Sequence, residues 1–299
     1  TLSHDIDLGV NVITVVNYNG GGDIDPSIMG VRIEVGNGAY VTKQDSLGNV
    51  VWTGAIESPA STAQIWQVAV DGIGRIYVTG YLYGTADFDL TQGGIANYSS
   101  GGLEARFVAR YGSYGFLHYV KIFPGYGLQQ ADNPLAVNAQ GDVYMSGSFF
   151  GTVDLDPGVA VASYTSVNAW TDAYVVKLDT QGDFVWAKQF SGARDDDWTS
   201  VCTSPSGDIY IAGRYSDSID VDPGPGVVRL IASSIAGNFL CKLDANGNLL
   251  WGTQFLGSGY CFASAIETTP TGDIVVVGGF AGGTMDFDPS PGGAQTFSA

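Results

Sequence analysis

Acidic residues recur in this sequence as Asp-x-Asp pairs, at intervals of about 66 residues. The pairs begin at Asp23, Asp87, Asp154, Asp220 and Asp286. Two residues apart on an extended strand, both carboxylates of a pair point to one side, so their mutual repulsion must be relieved. Ca²⁺, a hard cation that prefers carboxylate and carbonyl oxygens, is one partner that would relieve it. The candidate calcium ligands are therefore Asp87, Asp89, Asp154, Asp156, Asp220, Asp222, Asp286 and Asp288.

Two other partners for these pairs remain open. A basic residue recurs with the same spacing, at Lys43, Arg110, Lys177 and Lys242, and could neutralise the carboxylates. The third alternative is purely local, because Asp side chains readily cap the turn that follows them.

The segments that break the repetition contain a second set of candidates. They read ESPASTAQIW, GYGLQQADNP, SGARDDDWTS and LGSGYCFAS. An aromatic ring beside hydrogen-bonding groups is typical of a site for a polar ligand such as a sugar. The candidate ligand-binding residues are Trp66, Arg194, Asp196, Asp197, Trp198 and Tyr260. The alternative is that they are solvated loop residues, with Trp66 and Trp198 packed between repeat units.

Motifs for nucleophilic or zinc catalysis are missing from the sequence. It has two histidines, and it lacks His-Glu-x-x-His, Gly-x-Ser-x-Gly, Cys-x-x-Cys and a phosphate-binding loop. We assign no catalytic residue. Glycoside cleavage stays open, because that chemistry needs only two carboxylates at the right separation.

The elements that must position these residues form a tandem repeat. Each unit reads as four strands, a to d, as in PLAVNAQG, DVYMSGSF and the hairpin AYVVKLDTQGDFVWAKQF. Apolar residues alternate with small or polar ones, which is typical of half-buried strands, and no segment keeps a helical period. The sequence therefore predicts an all-β protein.

Four-stranded antiparallel sheets in tandem are the blades of a β-propeller. Ordinary blades need about 40–50 residues, so each unit carries roughly 20 more, between strands b and c. The predicted units span about 2–57, 58–124, 125–191, 192–257 and, in part, 258–299, within a single propeller. The fifth lacks strands c and d, which gives about four and a half blades. We expect either that the chain continues past Ala299 or that a partner completes the last blade, because natural proteins cover open sheet edges.

The motifs GTVDLDPG, GDVYMSGSF and DAYVVKLDTQGDFVWAKQF resemble the bacterial β-propeller repeats called SBBP repeats, which are frequent in secreted and surface proteins of Bacteroidetes. The resemblance covers nearly the whole chain. It implies a propeller fold and an extracellular setting, and it brings no shared catalytic site.

The composition and net charge restrict the classes of molecule that the protein is expected to bind. With 12 Lys and Arg against 30 Asp and Glu, the net charge is −18, which argues against nucleic acid and anionic lipid. No apolar run approaches the ~18 residues needed to cross a bilayer. The chain starts at Thr1 without a signal-peptide pattern and reads as a mature or excised segment. Its 43 glycines are typical of a turn-rich secreted protein.

Cys202, Cys241 and Cys261 are expected to be buried free thiols, with one bridge from Cys202 as the alternative.

Two classes of function follow. The first is a non-catalytic secreted or cell-surface module that binds a protein or a glycan or acts as a spacer. The second is a carboxylate-dependent glycan-active enzyme, a hydrolase or lyase, with its site in the loops between units. The scarcity of histidine and the regular acidic positions favour the first, since a catalytic pair normally breaks a repeat.

Overall fold

The fold is described from a computed structural model. It covers residues 2–7, 9–19, 22–23, 32–33, 37–91, 93–125, 127–129, 134–290 and 292–299. The side chains of residues 2, 19, 22–23, 32–33, 198 and 234–235 lie outside the description. Within these ranges the chain forms strands and one 3-10 turn, Val167–Ala169, and no α-helix. The prediction of an all-β protein is confirmed, and no helix in the described part is long and apolar enough to span a bilayer.

The strands follow the predicted repeat. Unit 1 contains β1 (Leu2–Ile6), β2 (Val12–Asn19), β3 (Gly22–Asp23), β4 (Arg32–Ile33), β5 (Asn37–Gln44) and β6 (Val50–Ser58). Unit 2 contains β7 (Thr62–Val70), β8 (Ile76–Asp87), β9 (Asn97–Tyr111) and β10 (Leu117–Pro124). Unit 3 contains β11 (Leu128–Gln129), β12 (Leu135–Val137), β13 (Val143–Phe149), β14 (Thr152–Asp154), β15 (Ser163–Thr165), β16 (Asp172–Leu178) and β17 (Phe184–Gly192).

The last two units complete the chain. Unit 4 contains β18 (Asp196–Thr203), β19 (Ile209–Asp220), β20 (Arg229–Leu243) and β21 (Leu249–Gly257). Unit 5 contains β22 (Tyr260–Thr268), β23 (Ile274–Ala281), β24 (Thr284–Asp286) and β25 (Thr296–Ser298).

Strands a to d of each complete unit pair antiparallel in sequence order. The orders are β1-β2-β5-β6, β7-β8-β9-β10, β12-β13-β16-β17 and β18-β19-β20-β21. The c–d turns place Gly182 and Gly247 at φ +77°, where a residue without a Cβ carries no steric penalty. Strand b is mostly buried in units 2, 3 and 4, and every residue of β13 is buried.

The extra residues between strands b and c form an outer hairpin. In units 2 and 4 this hairpin prolongs strands b and c beyond a bulge, and in units 3 and 5 it is the separate pairs β14–β15 and β24–β25. In units 2, 4 and 5 its first strand reaches across to strand d of the preceding unit. Ser191 pairs with Asp220, and Leu256 pairs with Asp286. The insertion therefore links neighbouring units through backbone hydrogen bonds at a sheet edge.

Apolar residues fill the spaces between consecutive units. One cluster packs Tyr144 and Val175 of unit 3 against Val201 and Ile211 of unit 4. Strand-d aromatics also contribute, because the indole N–H of Trp52 donates to the Ser113 carbonyl in the c–d turn of unit 2 at 3.1 Å. The three cysteines are free and buried, which confirms the first expectation for them and rules out the Cys202 bridge.

Candidate functional site

The innermost strands of all five units line one cavity of about 520 Å³. Strand a contributes residues from Ser3 to Asp5 in unit 1, from Trp66 to Val70 in unit 2 and from Leu135 to Val137 in unit 3. Units 4 and 5 add Cys202, Thr203, Ser264, Ala265 and Glu267. Among the described residues no strand pairs with strand a on this side, and side chains of the neighbouring unit form hydrogen bonds to part of its backbone.

Those side chains hold the strands around the cavity. The Gln67 side chain donates to the Leu135 carbonyl at 3.0 Å and accepts from the Leu135 amide at 2.8 Å. The Thr268 hydroxyl donates to the Thr203 carbonyl at 2.8 Å, and the Asp5 carboxylate accepts from the Val70 amide at 2.7 Å. Neighbouring strands a are thus joined without a continuous ladder.

One position of the repeat carries the chemistry of the cavity. Asp5, Ala69, Ala136, Cys202 and Glu267 each lie two residues before the residue that starts the a–b turn, and all five line the cavity. Units 2, 3 and 4 place a small side chain here. Units 1 and 5 place a carboxylate, so two acidic groups from the two ends of the described chain share one cavity.

The two carboxyl groups hold their protons more strongly than usual. Burial raises the pKa of Asp5, against hydrogen bonds from the Ile6 and Val70 amides that lower it. Burial and then the negative charge of Asp5 raise the pKa of Glu267. Since the Glu267 side chain is solvent-exposed within the cavity, water moderates its rise. His4 lies beside Asp5 and favours its ionised form.

Trp66 lines this cavity, as expected for a ligand-binding residue, and also packs on a cation. The Arg106 guanidinium lies 4.6 Å from the centroid of the Trp66 ring and 5.4 Å from that of Tyr81. Arg106 is itself buried and donates to the Leu128 carbonyl at 2.5 Å. The Trp66 ring is therefore held by a cation–π contact within its own unit.

The other loop candidates with described side chains, namely Arg194, Asp196, Asp197 and Tyr260, do not line the cavity. The Arg194 guanidinium lies 5.9 Å from the centroid of the Trp170 ring. Asp197 and Tyr260 both contact Arg214, which joins them. Arg214 approaches the Asp197 carboxylate at 3.5 Å and donates to the Tyr260 hydroxyl at 3.1 Å. Trp198 lies in β18, and its side chain is outside the described residues.

Asp196 is fully buried in an acidic neighbourhood. Burial, followed by the charges of Asp172, Asp197 and Asp195, raises the pKa of Asp196 to about 9. The Gly192 amide opposes this rise, and no well-formed hydrogen bond from a described residue reaches either carboxylate oxygen. Asp172 is also buried, and its carboxylate accepts from the Val167 amide at 2.9 Å. At neutral pH Asp196 is therefore a protonated acid.

The Asp-x-Asp pairs cap the turns of the outer hairpins. In unit 3 one oxygen of Asp154 accepts from the amides of Asp156 at 3.0 Å and Ala162 at 2.8 Å. The Oδ1 atom of Asp156 in turn accepts from the Gly158 amide at 2.7 Å. The pairs of the other described hairpins, at Asp87 and Asp89, Asp220 and Asp222, and Asp286 and Asp288, repeat these contacts. The Asp23 side chain lies outside the described residues.

The repeated basic residues have other partners, which corrects the interpretation that they neutralise the Asp-x-Asp pairs. Lys43, Lys177 and Lys242 form ion pairs with Asp7 at 2.6 Å, Asp142 at 2.9 Å and Asp208 at 2.8 Å. These acids flank the a–b turns. In unit 2 Arg75 replaces the acid after the turn and pairs with Asp71, so Arg110 donates instead to the Thr180 carbonyl.

Chemically, these sites offer hydrogen bonding rather than an assembled metal centre. Within the described part of the chain, no group of three or more His, Cys, Asp or Glu side chains is arranged to hold a metal ion. The cavity offers two carboxyls, an imidazole, an amide and an indole. Sequence reasoning missed Asp5, Glu267 and Arg106. Aligning strand a across the units would have exposed the first two, because they break a position that is otherwise small.

Fold and cavity together define the chain as a repeat protein of antiparallel four-stranded units, consistent with a β-propeller. No family model matches the sequence. The chain is 24% identical, over 85% of its length, to the WD repeat-containing protein L264 of Acanthamoeba polyphaga mimivirus. It spans 22% of that protein. The likeness agrees with a repeat architecture built from strands.

Proposed function

We propose that the protein is a non-catalytic β-propeller module that binds a polar partner, a glycan or the polar loop of a protein, at the cavity between its strands a. The observation that carries this proposal is the convergence of strand a from all five units on one cavity of about 520 Å³. Cavities of this size that combine an aromatic ring with a few polar groups are typical ligand sites.

The proposal includes closure of the five units around the cavity. Asp5 of unit 1 and Glu267 of unit 5 line the same cavity, which supports this closure. The motifs of the units support membership among SBBP-type repeats. The low content of charged residues and the 43 glycines support a site of action outside the cell.

Binding is tested by glycan arrays followed by calorimetry on the best ligand. We expect saturable binding that the double substitution Asp5→Asn and Glu267→Gln weakens at least tenfold. Asp183→Asn serves as the matched control, because its carboxylate lies on the surface in a c–d turn. Equal affinity of the double variant and the native protein would show that the ligand binds outside this cavity.

A second function is favoured by one observation. Asp5 and Glu267 are two carboxyls with raised pKa values in one cavity, and glycoside cleavage uses a protonated acid beside a second carboxylate. A screen with oligosaccharides and uronate-containing polymers tests it. Hydrolysis or elimination that either single substitution abolishes would make the protein an enzyme, while binding without turnover would support the interaction module.

A further inference from the structure

The turns of unit 2 carry three exposed apolar side chains where units 3 and 4 carry polar ones. Ile73 of the a–b turn and Tyr114 and Phe116 of the c–d turn are 70%, 75% and 62% exposed. Their counterparts in units 3 and 4 are, in the same order, Gln140 and Ser206, Gln181 and Asn246, and Asp183 and Asn248. A single exposed apolar residue is ordinary on a protein surface, whereas several together mark an interaction site.

The two turns of unit 2 lie side by side, and unit 1 holds one of them in place. A Cβ on Gly74 of the a–b turn would lie 3.8 Å from the Ser113 Cβ of the c–d turn. The Ser113 carbonyl accepts from the Trp52 indole at 3.1 Å and from the Lys43 ammonium at 3.3 Å, both in unit 1. The three apolar side chains therefore belong to adjoining turns, and the backbone of the c–d turn is fixed before any partner binds.

The c–d turn of unit 2 lacks an acidic cap that the other complete units have. Asp45, Asp179 and Asp244 begin the c–d turns of units 1, 3 and 4, and one oxygen of each accepts two backbone amides of its turn. Gly112 stands at this position in unit 2 and has no side-chain acceptor. Since such caps stabilise turns, the sequence of this turn is better explained by a role in binding than by stability.

The charge at this end of unit 2 is reversed as well. Arg75 ends the a–b turn, at the position of Asp142 in unit 3 and Asp208 in unit 4. It pairs with Asp71, whose side chain is fully buried, whereas part of the Arg75 side chain reaches solvent. A basic group thus replaces an acidic one two residues from Ile73.

His118 responds to the electric field at this surface. Its side chain is exposed, and its Nε2 atom would lie 3.2 Å from a Cβ on Gly112 in the c–d turn. Partial burial, and then the positive charges of Arg110 and Arg75, lower the pKa of His118. The two guanidiniums therefore make the local potential positive in a protein whose net charge is −18. A carboxylate is favoured here, although most of the remaining surface repels it.

We propose that the turns of unit 2 form a docking surface for a peptide segment of a partner protein in which acidic residues flank an apolar or aromatic side chain. That side chain packs among Ile73, Tyr114 and Phe116, and the flanking carboxylates lie near Arg75 and His118. Aromatic residues and arginine are the types most enriched at the centres of protein interfaces. None of the five residues lines the cavity between the strands a, so this surface is separate from the proposed ligand site.

A labelled peptide, Gly-Glu-Glu-Phe-Glu-Glu-Gly, tests the proposal by fluorescence anisotropy. We expect saturable binding at millimolar protein or below. The peptide with Gln in place of every Glu, and the peptide with Ala in place of Phe, should each bind at least fivefold more weakly.

The double variant Tyr114→Gln with Phe116→Asn should bind the acidic peptide at least tenfold more weakly. Both new side chains occur at the same turn positions in units 3 and 4, so we expect the variant to fold. Leu250→Asn is the matched control, because it removes an exposed apolar side chain from strand d of unit 4 and should leave the affinity unchanged.

Histidine NMR gives a second readout, which non-specific adhesion of an apolar peptide would not change. Carboxylates bound beside His118 favour its imidazolium form, so the acidic peptide should raise the pKa of His118. The Gln peptide should leave that pKa in place, and the resonance of His4 is the internal reference. Arg75→Gln should weaken binding of the acidic peptide and leave binding of the Gln peptide unchanged.

Absence of saturable binding by the acidic peptide overturns the proposal, as does equal affinity for the acidic and Gln peptides. Binding that the double variant leaves intact would place the peptide elsewhere and has the same consequence. A concentration-dependent dimer that forms without peptide and that the double variant dissociates would assign the surface to a second copy of the chain, which also overturns the proposal.

Discussion

Lys177 and Asp142 form an ion pair of 2.9 Å that ties strand c of unit 3 to the turn between its strands a and b. Both side chains are largely buried, with exposed fractions of 12% and 23%. The Lys177 ammonium also lies 5.4 Å from the centroid of the Tyr144 ring. The same pair recurs in unit 4 between Lys242 and Asp208. This contact fixes where strand c lies on strand b.

Lys177→Met should therefore destabilise unit 3. Removing one partner leaves the Asp142 charge partly buried, and we expect a loss of about 1–3 kcal/mol in the free energy of unfolding by urea. Lys121→Met is the control. Its partner Asp183 is 70% exposed, so its loss should stay below about 1 kcal/mol. Equal losses of stability in the two variants would show that the partial burial of the Lys177–Asp142 pair adds nothing to the free energy of unfolding.

Asp196 should give the stability a pH dependence of unusual sign. Its pKa is about 9 in the folded protein, whereas the ordinary value for an aspartate is 3.8, so the folded state binds the proton more tightly than the unfolded state does. The contribution of this group to stability is therefore greatest below pH 3.8 and is lost as the pH rises towards 9. Asp196→Asn, which imitates the protonated acid, should flatten the profile between pH 5 and 9.

The magnitude of that effect can be measured by urea denaturation at several pH values. At pH 7 we expect Asp196→Asn to be more stable than the native protein by about 2–4 kcal/mol, since each unit of pKa difference corresponds to about 1.4 kcal/mol. The surface variant Asp183→Asn should keep the native profile. A native stability that does not fall between pH 5 and 9 would contradict the protonated state of Asp196.

The Asp-x-Asp pairs allow calcium binding and turn capping to be separated. Asp154 accepts two backbone amides through one oxygen, an acceptor that Asn retains and Ala lacks. Capping predicts that Asp154→Ala costs about 1–2 kcal/mol, that Asp154→Asn costs little, and that a chelator leaves the melting temperature unchanged. A lower melting temperature in chelator, with Asp154→Asn removing the response, would establish the calcium site.

The contact between neighbouring units should be sensitive to a single methyl group. A Cβ on Gly192 would lie 1.9 Å from the Ser218 carbonyl oxygen, where strand d of unit 3 meets the outer hairpin of unit 4. Gly192→Ala should cost about 2–3 kcal/mol. Gly207→Ala is the control, because its methyl meets nothing within 4 Å and only its positive φ adds about 1 kcal/mol. Thermal denaturation of both variants would show whether the contact is as close as stated.

The sequence by itself determined the strands, their order within a unit and the period of the repeat. These features rest on local patterns, namely alternating apolar residues and turn glycines such as Gly182 and Gly247, which act within a few residues of themselves. It also contained the turn capping as one of three alternatives. Nothing local distinguished that alternative from a cation, because a carboxylate suits both.

Only the tertiary structure decided which distant groups meet. Lys177 reaches Asp142 rather than Asp154, because pairing between strands b and c brings the start of strand b beside it. Asp5 and Glu267 share a cavity although they lie at opposite ends of the chain. Asp197 and Tyr260 meet through Arg214, whereas Arg194 stacks on Trp170. The contacts between units, such as the approach of Asp5 to Glu267, depend on how units stack against one another, and the spacing of residues within one unit carries no information about that stacking.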